Sequence, residues 1–166
     1  MVYLRATKKV LDRLPATPHP QAESAAPPNA LGDWFVTRFV SRRQPYLLLL
    51  SSTTRLAILD AAKDVRGLPQ RLPLLVEQRL WEMGIKAAQV QQELADMGEV
   101  QVAPTNDRST LGALNLFVAA TQFCLEQEEG SPRQLKAIAE SFLEEHFSRR
   151  GKEYIFPAEA VRELLG

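Results

Sequence analysis

Residues 34–51, WFVTRFVSRRQPYLLLLS, decide the fold of this chain. Trp34 to Ser41 is rich in aromatic and β-branched side chains, Arg42 to Pro45 is polar with a proline, and Tyr46 to Ser51 is aliphatic. Two runs of strand-forming residues around a short polar break predict a β-hairpin. Thr54 to Ala61, with Leu56, Ile58 and Leu59, extends the pattern. So short a run fits a strand or a helix, and we read it as a third strand.

Upstream, Val2 to Ala6 is short, apolar and β-compatible, and Thr7 stands as an N-cap for a helix over Lys8 to Leu14. Residues 15–30 then carry five of the chain's eleven prolines. Proline lacks a backbone donor and fixes φ, so this segment is expected to be a linker or loop.

Downstream of Pro69 the period changes from two to near 3.6. Leu72, Leu75, Val76, Leu80 and Met83 share one helical face, and Val90, Leu94 and Met97 share another, with Gly84 and Gly98 as stop signals. Glu99 to Ala103 alternates and is expected to add a strand. A helix over Ser109 to Glu126 follows. Ser131, Pro132 and Gln134 make a capping box with proline at the first helical position, the clearest helix start in the chain. Tyr154 to Phe156 reads as a strand, and Pro157 opens a last helix to Leu165. Together these elements predict one α+β domain over 1–166: a small antiparallel sheet, mainly from the N-terminal half, packed against C-terminal helices.

Composition excludes several functions. The longest aliphatic run, Leu47 to Leu50, is far short of the roughly 20 residues a membrane helix needs, and Arg5, Lys8 and Lys9 occupy the place of a signal's apolar core. One cysteine and two separated histidines cannot assemble an ordinary zinc site, so neither metal nor cofactor is expected. Cytoplasmic location follows from the same residues. Phosphate-loop, nucleophile-elbow and zinc-protease motifs are absent, which argues against a familiar hydrolase and leaves no catalytic residue assigned. Cys124, on an apolar helix, reads as a small core residue, and Glu128, Glu129, Glu144 and Glu145 as solvated helix ends.

The net charge is zero, but residues 1–71 carry eleven Lys or Arg against five Asp or Glu, and residues 72–166 carry nine against fifteen. Either the two halves pack together, or Lys8, Lys9, Arg13, Arg42, Arg43 and Arg55 present a basic face to a polyanion.

Three segments carry more polar chemistry than packing needs: Thr7–Lys9, Gly32–Trp34 and the run TNDRSTLGALN over 105–115. In the last, Asn106 and Ser109 can cap a helix, while Arg108 offers a planar fork of donors for a carboxylate or phosphate. Gly112, inside the helix, costs about 1 kcal/mol relative to alanine. It is therefore expected to let a neighbouring element or a ligand approach the backbone. The binding residues expected on these grounds are Lys8, Lys9, Asp33, Trp34, Arg42, Arg43, Asn106, Arg108 and Asn115.

ATKKVLDRL at 6–14, LGDWFVTRFVSRRQPYLLLLSSTTRLAIL at 31–59 and TNDRSTLGALNLF at 105–117 resemble the blocks of an uncharacterised bacterial family, a domain of unknown function. Its pattern is T-K-K-L-L, then L-G-D-W-Y-A-N, then N-R-S-x-x-G-x-x-N, from which this chain departs at Phe35, Thr37 and Arg38. The resemblance implies a small cytoplasmic bacterial protein and no particular chemistry. The expectation is a non-enzymatic binding module for a protein or nucleic acid. The alternative is an enzyme acting on a small anion-bearing substrate through Lys8, Asp33 and Arg108.

Overall fold

The computed structural model describes residues 1–15 and 27–166. In chain order the elements are β1 (Val2–Ala6), α1 (Lys8–Leu11), β2 (Trp34–Ser41), β3 (Gln44–Ser51), β4 (Ala57–Ala61), α2 (Leu68–Glu82) and α3 (Ala87–Met97). There follow β5 (Val100–Pro104), α4 (Arg108–Gln127), α5 (Pro132–Glu144), β6 (Ser148–Arg150), β7 (Glu153–Ile155) and α6 (Pro157–Leu165). Of the proline-rich segment 15–30, residues 16–26 lie outside the described residues.

The α+β class holds, with the larger sheet drawn mainly from the N-terminal half in the order β4-β3-β2-β1-β5. Within this sheet antiparallel pairing, expected throughout, is confined to β2–β3 and β3–β4; β1 pairs parallel with both β2 and β5. The sheet is therefore mixed. Parallel neighbours need a crossover, which here is α1 with the residues after it on one side and the stretch from β2 to α3 on the other.

The hairpin forms as its sequence dictates, but its turn is only Arg42–Arg43, and Pro45 lies within β3 opposite Val40. Both arginines have positive φ, 50° and 65°. Two-residue hairpin turns require that conformation, which Asn and Gly adopt more readily than arginine. The Arg42 guanidinium donates to the carbonyls of Glu126 and Glu128 at 2.7 and 2.9 Å, binding the turn to the end of α4.

Alternation along the strands feeds two cores. Trp34, Val36, Leu47, Leu49 and Ile58 face α1, α2, α3 and α6; Phe35, Phe39, Leu48, Leu50 and Leu59 face α4 and α5. Helices thus cover both faces of the sheet. The β4 edge is closed by side chains: Arg79 Nε donates to the Ala57 carbonyl at 3.1 Å, and the Leu59 amide donates to Glu140 Oε2 at 3.1 Å. Glu140 lies 2.7 Å from Lys136, while Arg79 pairs with Glu144 at 2.9 Å, so Glu144 is not a solvated helix end. Burial pushes the Glu140 carboxyl up, and Lys136 and Arg79 oppose that shift.

A second buried carboxylate positions the entry to β2. Glu93 of α3 accepts from Asn29 Nδ2 at 2.8 Å and from the amides of Ala30 and Leu31 at 2.9 and 3.1 Å. The next residues, Asp33 and Trp34, are thereby delivered to the sheet. The capping box of α5 forms as its sequence predicts, Ser131 and Gln134 exchanging side-chain-to-backbone bonds.

Candidate functional site

The polar run 105–115 builds one wall of a groove. β5 ends at Pro104, and α4 begins three residues beyond Thr105 with Asp107 as its N-cap, its carboxylate accepting from the Ser109 amide at 3.1 Å. Asn106 and Ser109 do not cap. Thr110 Oγ1 donates to the other Asp107 oxygen at 2.5 Å and accepts from Arg55 Nη1 at 2.8 Å. Arg55 also reaches the Ser52 carbonyl at 3.1 Å and, at 3.5 Å each, Ser109 Oγ and the Arg149 carbonyl. It therefore fastens the β3–β4 turn, the start of α4 and the β6–β7 hairpin to one another. Arg150 adds a bond to the Thr53 carbonyl at 2.5 Å.

The hairpin is held over α4 but does not close on it. Between them lies a cavity of about 490 Å³ lined by Arg108, Ser109, Gly112, Ala113, Leu116 and Phe117 of α4 and by His146–Arg149 and Tyr154. Gly112 is its open floor, since a Cβ there meets nothing within 4 Å. The neighbour expected at this glycine is absent, and the missing side chain instead leaves the groove its depth. Leu116, Phe147 and Tyr154 are each more than half exposed. Phe147 stands 5.7 Å from the Tyr154 ring and 6.3 Å from Phe156, forming an aromatic ridge. His146 packs edge-on against Phe117 at 4.9 Å.

The groove has a neutral floor and two arginines, Arg108 and Arg149, in its lining toward the start of α4. Arg108 has no ion-pair or hydrogen-bond partner among the described residues, and Arg149 lies over the Tyr154 ring at 5.6 Å. Burial lowers the pKa of Arg55; Asp107 opposes that shift and Arg150 adds to it. For Asp107 burial works to raise the pKa, but hydrogen bonds from Thr110 and Ser109 and the Arg55 charge outweigh it and hold the carboxyl below its usual value. Among the described residues no group of three or more metal-binding side chains is present.

The family described as Domain of unknown function (DUF6933) matches residues 3–160. The chain belongs to that family. The match reaches all five strands of the main sheet, β1 from Tyr3 onward, and includes every residue of the groove. No curated protein matches the chain.

The expected binding residues of this DUF6933 chain do not form one site. Arg108 lines the groove; Asn106, just before α4, and Asn115, two turns into it, are exposed but do not line it. Trp34 is fully buried in the first core and is corrected from a binding residue to a packing residue. Asp33 accepts from the Tyr3 amide and from Arg5 Nε, both at 3.0 Å, and so tethers β1 to the entry of β2. Lys8 and Lys9 are exposed at the opposite end of β1, roughly 13 Å along the strand from Tyr3 to Thr7 at about 3.3 Å per residue. There Thr7 Oγ1 meets Thr37 Oγ1 at 3.1 Å, and α1, at four residues, is too short for a strong helix dipole. Neither Lys8 nor Asp33 lines the groove that holds Arg108.

The basic face, one of the two readings of the charge split, is also dispersed. Arg55 is 1% exposed, Arg42 is bound to the end of α4, and Arg13 donates to the Lys9 carbonyl at 2.8 Å. Cys124 is buried as expected, and burial raises its thiol pKa, followed by the effect of Glu128. Sequence reasoning missed Phe147, Arg149 and the strand β6. Phe147 and Arg149 matter only because the hairpin folds back on α4, which no local period encodes.

Proposed function

We propose that this chain is a non-enzymatic interaction module that holds a segment of a partner protein in the groove between α4 and the β6–β7 hairpin. One observation carries the reading: an open cavity of about 490 Å³ with an apolar floor, an exposed aromatic ridge and two arginines, Arg108 and Arg149, in its lining. Exposed aromatic and arginine side chains are the types that dominate protein interfaces, and exposed apolar patches commonly mark them. A nucleic-acid partner is less well supported, because Arg42 and Arg55 are committed to internal bonds. The alternative enzyme site through Lys8, Asp33 and Arg108 lacks support from a shared cleft. The proposed setting is the bacterial cytoplasm.

The reading is tested by placing a photo-crosslinking residue at Leu116, in the groove, or at Gln92, on α3. Irradiation in cell extract is expected to yield a polypeptide adduct from Leu116 and none from Gln92, and the Leu116 adduct is expected to disappear with Phe147→Ser. Equal labelling from both positions, or none from Leu116, would overturn the proposal.

A further inference from the structure

The opposite side of the molecule carries a surface complementary to this groove. On α2, Leu74 and Trp81 are 65% and 48% exposed, seven residues apart on a helix that buries Leu72, Val76 and Leu80 against the sheet. Their spacing is two turns, roughly 10 Å. Glu77, Gln78 and Glu82 surround them in a shallow apolar depression, and Gln78 Nε2 donates to Glu82 Oε1 at 3.2 Å. Glu77, like Arg108, has no partner among the described residues.

The groove lies along α4 from Arg108 to Leu116, roughly 12 Å at about 1.5 Å per residue, which matches the distance from Leu74 to Trp81. Arg108 and Arg149 line it near the start of α4, and the α2 face is bordered by the carboxylates of Glu77 and Glu82. A helix presenting apolar anchors two turns apart is a common occupant of a groove of this kind. We infer that the partner is a second copy of this chain, which lays the Leu74–Trp81 face of its α2 into the groove and sets Glu77 and Glu82 toward Arg108 and Arg149. This inference rests on the reading of the groove as a docking face. Because α2 and α4 cover opposite faces of the sheet, the contact is heterologous: each copy offers a helix and a groove, and assembly proceeds head to tail.

Two variants make the test decisive, since all the substituted side chains are exposed and thermal melts verify folding. Trp81→Ala leaves the groove intact, whereas Arg108→Glu with Leu116→Ser leaves the α2 face intact. In sedimentation velocity the wild-type chain is expected to grow in mass with concentration, and added salt is expected to reverse that growth. Each variant alone is expected to associate at least about tenfold more weakly, as loss of an interface anchor does. Mixed together, the two variants are expected to form a one-to-one pair and nothing larger. Trp81 of the double variant reports the event, because Trp34 is fully buried and only Trp81 can lose exposure; its emission should shift to the blue on mixing.

A wild-type chain that stays monomeric to millimolar concentration, a variant that assembles as the wild type does, or a mixture without pairs would each overturn the inference. The broader reading fails separately. If the chain is monomeric while Leu116 still crosslinks another polypeptide, only self-association is lost; if Leu116 captures nothing, the docking face itself is lost.

Discussion

Replacing Gly112 with alanine separates an open groove from a closed one. Glycine inside a helix costs about 0.5 to 1 kcal/mol relative to alanine, because its unfolded chain has more freedom to lose. That gain is realised only if the added methyl meets no obstacle, and a Cβ at Gly112 has no neighbour within 4 Å. Gly112→Ala is therefore expected to stabilise the chain by about 0.5 to 1 kcal/mol. For a chain of this length, that raises the melting temperature by about 1 to 4 °C. Urea unfolding should show a higher midpoint with an unchanged slope. Gly98 supplies the contrast: at φ +58° and with the Met1 nitrogen 3.2 Å from a Cβ, Gly98→Ala is expected to destabilise by about 1 kcal/mol. If Gly112→Ala destabilised by more than about 0.5 kcal/mol, the hairpin would have to lie against α4 and the groove could not be open.

Asp107→Ala should cost about 1 kcal/mol near neutral pH through loss of the α4 cap, measured by urea unfolding. Because the folded Asp107 pKa is lowered, its contribution is present above the ordinary value of 3.8 and is lost as pH falls through the folded value. The difference between variant and wild type should therefore shrink in acid, and a constant difference would refute the assignment. Arg79→Ala is expected to cost about 3 to 5 kcal/mol, since it leaves Glu140 buried with a lost partner; a loss under about 1 kcal/mol would show that the network contributes little. Arg43→Gly should stabilise by up to about 1 kcal/mol by relieving a positive φ of 65°, and a lower unfolding midpoint would contradict the turn geometry. Arg108→Ala should leave the melting temperature within about 1 °C, because the side chain is exposed at the helix start.

What could be read from the sequence was local. The hairpin around Arg42–Arg43, the capping box at Ser131 and the strand at Val100 each carry their signal within a few residues, and all three form. The parallel placement of β1 could not be read, because pairing of Val2 with Val100 is decided by the crossovers between them. Arg55 is charged and sits among turn residues, so it reads as exposed, yet the Thr110 hydroxyl and the Ser52 carbonyl bury it. At Gly112 the sequence reveals the energetic cost but not what lies opposite, and the inferred neighbour has the wrong sign. Arg108 was legible as a binding candidate because its run contains more polar side chains than a cap requires.

The interior position of β1, between β2 and β5, also sets an order of events during synthesis. β2, β3 and β4 are contiguous, so their antiparallel meander can close as soon as it has left the ribosome. β1 is made first, yet its outer neighbour β5 lies about a hundred residues later, from Val2 to Val100. Such distant pairing is slow to form, because the intervening loop must be closed before the contact stabilises it. Until then one side of β1 stays without its neighbour, and the nascent chain carries an unfinished strand edge that a chaperone could shield.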